Sequence, residues 1–175
     1  MFQSIKKDLP NFPDQVVRDW IQPFAEDEGW PPITERWKYL LKEMNLERWR
    51  KVTWDLEERD FTKLSLSSEC MFSLQEMLRA YINDEDNVYK RDLGERGKER
   101  FHVQLHYLID NGALSSPPVL VDHGDGLEIM DGNHRVAALC AWYQWKDNPV
   151  FTAKLGREAA VLKERQPVWI GKFTT

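Results

Sequence analysis

One short segment, residues 127–139 with the sequence LEIMDGNHRVAAL, carries residue types suited to binding phosphate. Its strand pattern ends in Asp131 and turns through Gly132, after which the apolar residues follow a helical pattern. The first turn of a helix has unpaired backbone N–H groups and a partial positive charge, and a glycine lets a ligand approach the backbone. The guanidinium of Arg135 fits phosphate oxygens, and His134 can donate hydrogen bonds. The predicted phosphate-binding residues are therefore Gly132, Asn133, His134 and Arg135.

The same residues also fit purely structural roles. Asp131 or Asn133 could cap the helix, since both residue types are preferred at that position. His134 could be a turn residue whose hydrogen bonds are satisfied within the protein. Arg135 could pair with a surface acid. The sequence alone leaves these alternatives open.

Simple energetics indicate that the turn needs help to hold a nucleotide. One charge-assisted hydrogen bond from Arg135 contributes about 1.5–3 kcal/mol. The helix terminus adds about 0.3–1 kcal/mol, or up to ~2 kcal/mol where it is buried. Micromolar binding requires about −8 kcal/mol. The helix predicted over 98–110 is the natural second wall, and its polar candidates are Lys98, Arg100 and Gln104, each of which would equally suit a solvated position.

Hydrolysis of a phosphate bond would need a carboxylate beside the turn, to hold Mg²⁺ or to position water. Asp131 is the best candidate for this catalytic and metal-binding role, because it ends the strand next to the turn. His134 and Arg135 are the other catalytic candidates. Weaker candidates are Glu128, Asp122 and Asp125, and the i, i+4 pair His102 and His106, which lacks a third metal ligand.

The elements around this turn predict an α+β fold. Apolar residues at helical spacing occur at 37–44, 46–52, 67–83 and 98–110. Strands are predicted over 119–121, 127–130 and 150–155, followed by an extended C-terminal piece. Gly94 and Gly97 are expected to break the charged stretch 84–100. The chain is therefore divided into a helical region, residues 1–85, and a small-sheet module, residues 86–175.

The helical region is rich in tryptophan. Five of the eight tryptophans lie in the first 54 residues, namely Trp20, Trp30, Trp37, Trp49 and Trp54. Core packing is the favoured interpretation, and the alternative is an exposed surface on which nucleic-acid bases stack. Cys70 and Cys140 lie in apolar helical patterns and are expected to be buried thiols without a disulfide framework.

The composition excludes several classes of protein. With 24 Lys+Arg against 29 Asp+Glu, the net charge is −5, which excludes a histone-like basic coat and counts mildly against DNA as a ligand. No apolar run approaches the ~18 residues of a membrane-spanning helix. The N-terminus also lacks the apolar segment of a signal peptide. We therefore expect a cytoplasmic protein with no membrane partner.

Residues 98–155 resemble the ParB/sulfiredoxin superfamily in the order of their predicted elements and in the motif Asp131-Gly132-Asn133-His134-Arg135. Members of that superfamily carry D-G-x-H-R or G-C-H-R between a strand and a helix, and this turn binds nucleotide phosphates. The resemblance implies that residues 86–175 form a nucleotide-binding module with a small mixed sheet. Activities in the superfamily include ATP-dependent sulfinic-acid reduction, CTP binding, serine phosphorylation and, in plasmid-borne proteins, ATPase or DNase activity. Some of these plasmid-borne proteins block DNA transfer to recipient cells.

Differences between this sequence and the superfamily exclude some of these activities. Asn133 stands where sulfiredoxins have their catalytic cysteine, and an amide cannot replace it as a nucleophile. Because about 20 residues of the sequence follow the third predicted strand, we expect no counterpart of the long DNA-binding helical region of partition proteins. The leading hypothesis is a phosphohydrolase that uses ATP or another nucleotide with Mg²⁺, with metal-dependent DNA cleavage as a further activity. The alternatives are a binding module without turnover, whose N-terminal half binds a partner protein, and a small-molecule kinase.

Overall fold

The computed structural model describes residues 1–156 and 158–173 and confirms the predicted α+β class. The N-terminal helices are α1 (Phe2–Asp8), α2 (Asp14–Val16), α3 (Gln22–Glu28), α4 (Glu35–Leu40) and α5 (Leu46–Trp49). A π-helical turn (Val17–Ile21) joins α2 directly to α3. Strand β1 (Val52–Arg59), a 3₁₀ turn (Phe61–Lys63), α6 (Ser68–Ile82) and α7 (Val88–Asn111) follow. The remaining elements are β2 (Val119–Asp122), β3 (Leu127–Asp131), α8 (Asn133–Trp145), α9 (Pro149–Leu155) and β4 (Gln166–Phe173). Within the two described ranges, no helix combines the length and apolar character needed to cross a membrane.

The four strands form one mixed sheet in the order β1-β4-β2-β3. Strand β4 is antiparallel to β1 and parallel to β2, and β2 is antiparallel to β3. Strand β3 therefore lies at one edge, where Leu66 forms a single parallel bridge to Leu127. The sheet contains β1 from the region 1–85 and three strands from the region 86–175.

The N-terminal helices cover one face of this sheet with an aromatic core. Phe12, Trp20 and Trp49 are buried there, and the ring centroids of Trp20 and Trp49 lie 5.3 Å apart in an edge-to-face arrangement. Trp37 is also buried, and its indole N–H donates to the Gly29 carbonyl at 3.0 Å. Core packing is thus confirmed for these three tryptophans, whereas Trp30 and Trp54 are half-buried beside them.

The opposite face is covered by α6, α7 and α8, which pack on alternate residues of the strands. Ile129 and Ile170 point to this side, whereas their neighbours Met130 and Trp169 face the aromatic side. The small residues Ala137, Ala138 and Ala141 of α8 are fully buried on this face. They allow α8 to pack closely against α7 and the sheet.

The strand predicted over residues 150–155 is wrong, because this segment forms helix α9. Asn148 caps the helix, and its Oδ1 accepts hydrogen bonds from the backbone N–H groups of Val150 at 2.9 Å and Phe151 at 3.3 Å. Pro149 occupies the first helical position, where its missing N–H costs nothing. The extended C-terminal piece is confirmed as β4, which lies between β1 and β2 in the sheet.

Gly94 breaks the helical backbone as expected and separates two helical segments, whereas Gly97 does not interrupt α7, which spans Val88 to Asn111. Gly94 has a φ of 50° and marks a kink within it. Gly97 is buried against the side chain of Tyr81, where a Cβ would collide with the phenol hydroxyl. The glycines therefore bend α7 and let it approach α6.

Candidate functional site

The predicted phosphate turn lies where β3 meets α8. Gly132 occupies the position before the helix with φ 92° and ψ 21°, a left-handed conformation that favours glycine. No side chain caps α8, and its first backbone hydrogen bond runs from the Val136 N–H to the Gly132 carbonyl at 2.9 Å. The N–H groups of Asn133, His134 and Arg135 precede that bond and so have no acceptor within the helix. Their arrangement suits an anion.

This turn forms one wall of a cavity of about 740 Å³. The other walls are the edge of β3, one side of α6 and one side of α7, and the end of α4 contributes as well. The structure brings most of the predicted residues together at this cavity, namely Arg100, Gln104, Asp131, Gly132, Asn133, His134 and Arg135. Its size lies within the range typical of small-ligand sites, about 300–1,000 Å³.

Lys98 is the one predicted ligand that the structure places elsewhere. It lines a separate, open groove on the outer side of α7, together with His102 and His106. Its ammonium nitrogen lies 3.8 Å from Oδ1 of Asp84. Because Lys98 and Arg100 are two positions apart on a helix, their side chains project in different directions.

Arg135 braces the turn rather than reaching into open space. Its Nη1 donates to Ser116 Oγ at 2.6 Å, and its Nη2 donates to Asp131 Oδ2, also at 2.6 Å. Its side chain is only 14% exposed, and a Cβ on Gly132 would lie 2.8 Å from Nη2. The guanidinium therefore lies directly against the glycine. Arg135 therefore does pair with an acid, which was one of its structural alternatives. The acid is Asp131, which belongs to the turn itself.

Asp131 is held by its surroundings and is not a free carboxylate. Burial raises the pKa of Asp131 above its ordinary value, while the Arg135 guanidinium and the Gly132 N–H act in the opposite direction. Among the residues the structure describes, no group of three or more His, Cys, Asp or Glu side chains could hold a metal ion. A Mg²⁺ ion would fit here only as the partner of ligand phosphates, with Asp131 as a single carboxylate ligand, because Mg²⁺ accepts phosphate oxygens and water as its other ligands.

His134 is an uncharged hydrogen-bonding group at neutral pH. Burial, reinforced by the positive charges of Arg100 and Arg135, lowers the pKa of His134 to about 4. Its ring stacks on Tyr81 with a centroid distance of 6.2 Å and an interplanar angle of 13°. Its Nε2 is buried without a hydrogen-bond partner in the described part of the chain. A ligand at the turn would supply that partner.

Among the described residues, Arg100 is the cation of the site that has no charged partner. It is exposed and lines the cavity, and its charge acts on His134 across the space between α7 and α8. No residue in the described ranges forms an ion pair or hydrogen bond with its guanidinium. The neighbouring Gln104 accepts a hydrogen bond from Ser115 Oγ at 2.7 Å, which fixes its amide. Arg100, rather than Arg135, is therefore the side chain available to bind phosphate.

Three charged residues that line the cavity were not predicted from the sequence, namely Lys42, Glu69 and Glu99. Lys42 Nζ lies 2.5 Å from Oε1 of Glu128, a residue expected to be only a weak candidate. Nothing in the sequence around Lys42 signals a ligand-binding site, because the cavity forms only when α4 meets the edge of β3. Asp122, another weak candidate, accepts a hydrogen bond from the Gly124 N–H at 2.8 Å within the hairpin turn.

Both cysteines are free thiols with raised pKa values. Cys70 is buried and lines the cavity, and burial raises the pKa of its thiol. Cys140 is half-buried, and burial raises its pKa to about 11. Neither thiol is activated as a nucleophile, because the reactive form is the thiolate.

The chain matches no protein-family model, no curated protein and no solved structure at a significant level. The chemical interpretation of the cavity therefore depends on its geometry and on the motif at its wall.

Proposed function

We propose that the protein binds a nucleoside polyphosphate in this cavity and hydrolyses one of its phosphate bonds. The single observation that carries the proposal is the N-terminus of α8, which has no side-chain cap and opens onto the cavity beside Arg100, a cation without a partner among the described residues. The resemblance of the Asp131–Arg135 motif to the phosphate-binding turn of the ParB/sulfiredoxin superfamily supports the same conclusion.

The phosphate would be held by three kinds of donor. These are the backbone N–H groups of the first turn of α8, the neutral imidazole of His134, and the guanidinium of Arg100. A charge-assisted bond from Arg100 contributes about 1.5–3 kcal/mol, and the helix terminus contributes up to ~2 kcal/mol. Because micromolar binding requires about −8 kcal/mol, contacts with the rest of the nucleotide along α6 and α7 must supply the difference.

Hydrolysis would require Asp131 to exchange partners. In the structure its Oδ2 accepts the Arg135 hydrogen bond, so this carboxylate becomes available only when Arg135 turns toward ligand phosphate. Asp131 would then position water or serve as one ligand of a Mg²⁺ ion, which neutralises phosphate charge when bound. Glu99 of α7 also lines the cavity and offers a second carboxylate.

Thermal shift with a panel of nucleoside triphosphates and Mg²⁺ tests the proposal. At least one nucleotide should raise the melting temperature of the wild-type protein, because a ligand that binds only the folded state stabilises it. Arg100→Ala should weaken the shift strongly. Lys98→Ala is the matched control, since it removes a cation from the same helix outside the cavity. The absence of a shift with every nucleotide, or equal losses in the two variants, would contradict the proposal.

The second candidate is a binding module without turnover. The observation in its favour is the half-buried Asp131–Arg135 pair, which keeps the best carboxylate occupied. A phosphate-release assay separates the two functions, because binding without release favours the module. Fragment lengths of DNA incubated with the protein and Mg²⁺ test the predicted nuclease activity, and transfer of the terminal phosphate of the nucleotide to added acceptor molecules tests the kinase alternative.

A further inference from the structure

The cavity has two polar ends, and the phosphate turn is only one of them. Strand β3 runs along the cavity wall, so Glu128 and Asp131 are about 10 Å apart at ~3.4 Å per residue. Helix α6 lies alongside the strand: at its start the Ser67 N–H donates to the Leu127 carbonyl at 2.9 Å, and near its end Tyr81 stacks on His134. The first turn of α6 is therefore at the end opposite to the phosphate turn.

This opposite end combines one cation with two carboxylates. Lys42 is held 2.5 Å from Glu128, and both residues line the cavity. Glu69 in the first turn of α6 also lines it, and no hydrogen bond or ion pair engages its carboxylate within the described residues. Lys42 and its neighbour Glu43 both have left-handed backbones, with φ of 53° and 58°. Such a conformation is strained for residues other than glycine, and here it brings the Lys42 ammonium to the cavity.

The walls between the two ends are largely apolar. They are lined by Leu74 and Met77 of α6, by Tyr89, Leu93 and Val103 of α7, and by Ile129 of β3. Apolar and aromatic side chains pack well against the flat faces of a nucleobase and against a ribose. The cavity is therefore polar at both ends and apolar between them, which matches the distribution of polarity along a nucleotide.

We propose that the end formed by Lys42, Glu69 and Glu128 binds the base of the nucleotide and that the base is guanine. This inference rests on the proposed function. An ionised carboxylate only accepts hydrogen bonds, and it has two oxygens with which to do so. Guanine is the one common base with two adjacent donors, N1–H and the N2 amino group, on the edge that a carboxylate would meet. Its neighbouring O6 is an acceptor for the Lys42 ammonium.

The other bases fit this end less well. Adenine and cytosine place an unprotonated ring nitrogen beside their amino group, and this nitrogen would face the Glu69 carboxylate without a proton between them. Uracil has a single N–H between two carbonyl oxygens. Glu69 is exposed in the structure and is covered only when a base binds, so a base that leaves its carboxylate oxygens unpaired should bind more weakly than guanine.

The test measures dissociation constants by calorimetry for non-hydrolysable analogues of GTP, ITP, ATP and CTP and for inorganic tripolyphosphate, all with Mg²⁺. Wild-type protein should bind the GTP analogue about 10- to 100-fold more tightly than the ATP and CTP analogues, the range expected for hydrogen bonds to a charged group. The ITP analogue lacks the N2 amino group and should lose most of this preference.

Two variants identify the group that makes the selection. Glu69→Gln should reduce the affinity for the GTP analogue to that for the ATP analogue and leave tripolyphosphate binding unchanged. Glu43→Gln is the matched control, because it removes a carboxylate next to Lys42 that does not line the cavity, and it should leave the preference intact. Melting temperatures of both variants establish that they fold.

The outcomes separate this inference from the proposed function. Equal binding of all nucleotide analogues, or a Glu69→Gln variant that weakens tripolyphosphate as much as the GTP analogue, would overturn the assignment of the base and leave nucleotide binding in place. Failure of every analogue and of tripolyphosphate to bind would overturn both.

Discussion

The two faces of the sheet are packed with side chains of different size. On the face of the N-terminal helices, large rings such as Trp20, Trp37 and Trp49 fill the space. On the face of α6, α7 and α8, small residues bring the helices together, and the cavity opens where they meet the edge of β3. Stability and ligand binding are therefore expected to depend on different sides of the same sheet, and the following substitutions test that separation.

The largest effect is expected from Trp49→Ala on the aromatic face. Trp49 is fully buried, and its indole N–H donates to the Leu41 carbonyl at 3.2 Å. The variant should lose about 3–5 kcal/mol of unfolding free energy in chemical denaturation. Ile33→Ala is the control, because this side chain is 83% exposed and should change stability by less than about 0.5 kcal/mol. If the Trp49→Ala protein folds but loses nucleotide affinity, stability and ligand binding do not depend on different faces of the sheet.

A smaller loss, about 1–3 kcal/mol, is expected from Arg135→Ala, which leaves the half-buried Asp131 carboxylate without its partner. The double variant that also carries Asp131→Asn should be more stable than the sum of the two single losses, because the unpaired charge is then gone. Denaturation of all four proteins measures this coupling. Strict additivity would show that the pair does not brace the turn.

The cavity face should also respond to pH through His134. Its pKa is about 4 in the folded protein and 6.5 when unperturbed, so between these values only the unfolded chain binds the proton. The free energy of unfolding should therefore rise as pH increases from 4 to 6.5 and gain nothing further from His134 above that range. Asp131 has the opposite effect on stability. Burial raises its pKa in the folded protein, so the folded state keeps the proton to a higher pH than the unfolded chain, and the free energy of unfolding falls as pH rises through this titration.

Denaturation at several pH values resolves the two contributions. His134→Gln should remove the rising part of the profile, and Asp131→Asn should remove the falling part. An unchanged profile in His134→Gln would show that this imidazole is not protected from protonation in the folded state.

The smallest effect is expected from Lys98→Ala. Lys98 lies on the outer side of α7, and its contact to Asp84 at 3.8 Å is long and exposed. Surface ion pairs of this kind contribute about 0–1 kcal/mol, so both stability and nucleotide affinity should remain close to the wild-type values. A marked loss of affinity would extend the ligand site beyond the cavity.

The sequence predicted the α6 helix, the strands β2 and β3 and the turn at Gly132, because each has a local signal. It failed where the decisive contact is distant in sequence. Strand β1 was missed because half of its residues are charged, and its strand structure comes from pairing with β4, more than 100 positions later. The β-branched residues of 150–155 suggested a strand, but Asn148 and Pro149 set up a helix.

The same limit applies to the site. The motif placed Gly132, Asn133 and His134 at the turn, and the cavity contains them. The direction of the Arg135 side chain depends on Ser116, which is brought to it by the path of the chain into β2, so no local pattern could reveal it. Likewise, the sequence could not show which of Lys98 and Arg100 faces the cavity. That depends on the rotation of α7 about its axis, which the kink at Gly94 and the packing of the helix determine.

The strand order has a consequence for how the protein is made. Strand β4 is the last described strand to leave the ribosome, yet it lies between β1 and β2. Until residues 166–173 emerge, the nascent chain cannot close its sheet, and the backbone edges of β1 and β2 that pair with β4 have no partner. Contacts between strands so far apart in sequence form slowly, so newly made chains should depend on chaperones or dilution to avoid association.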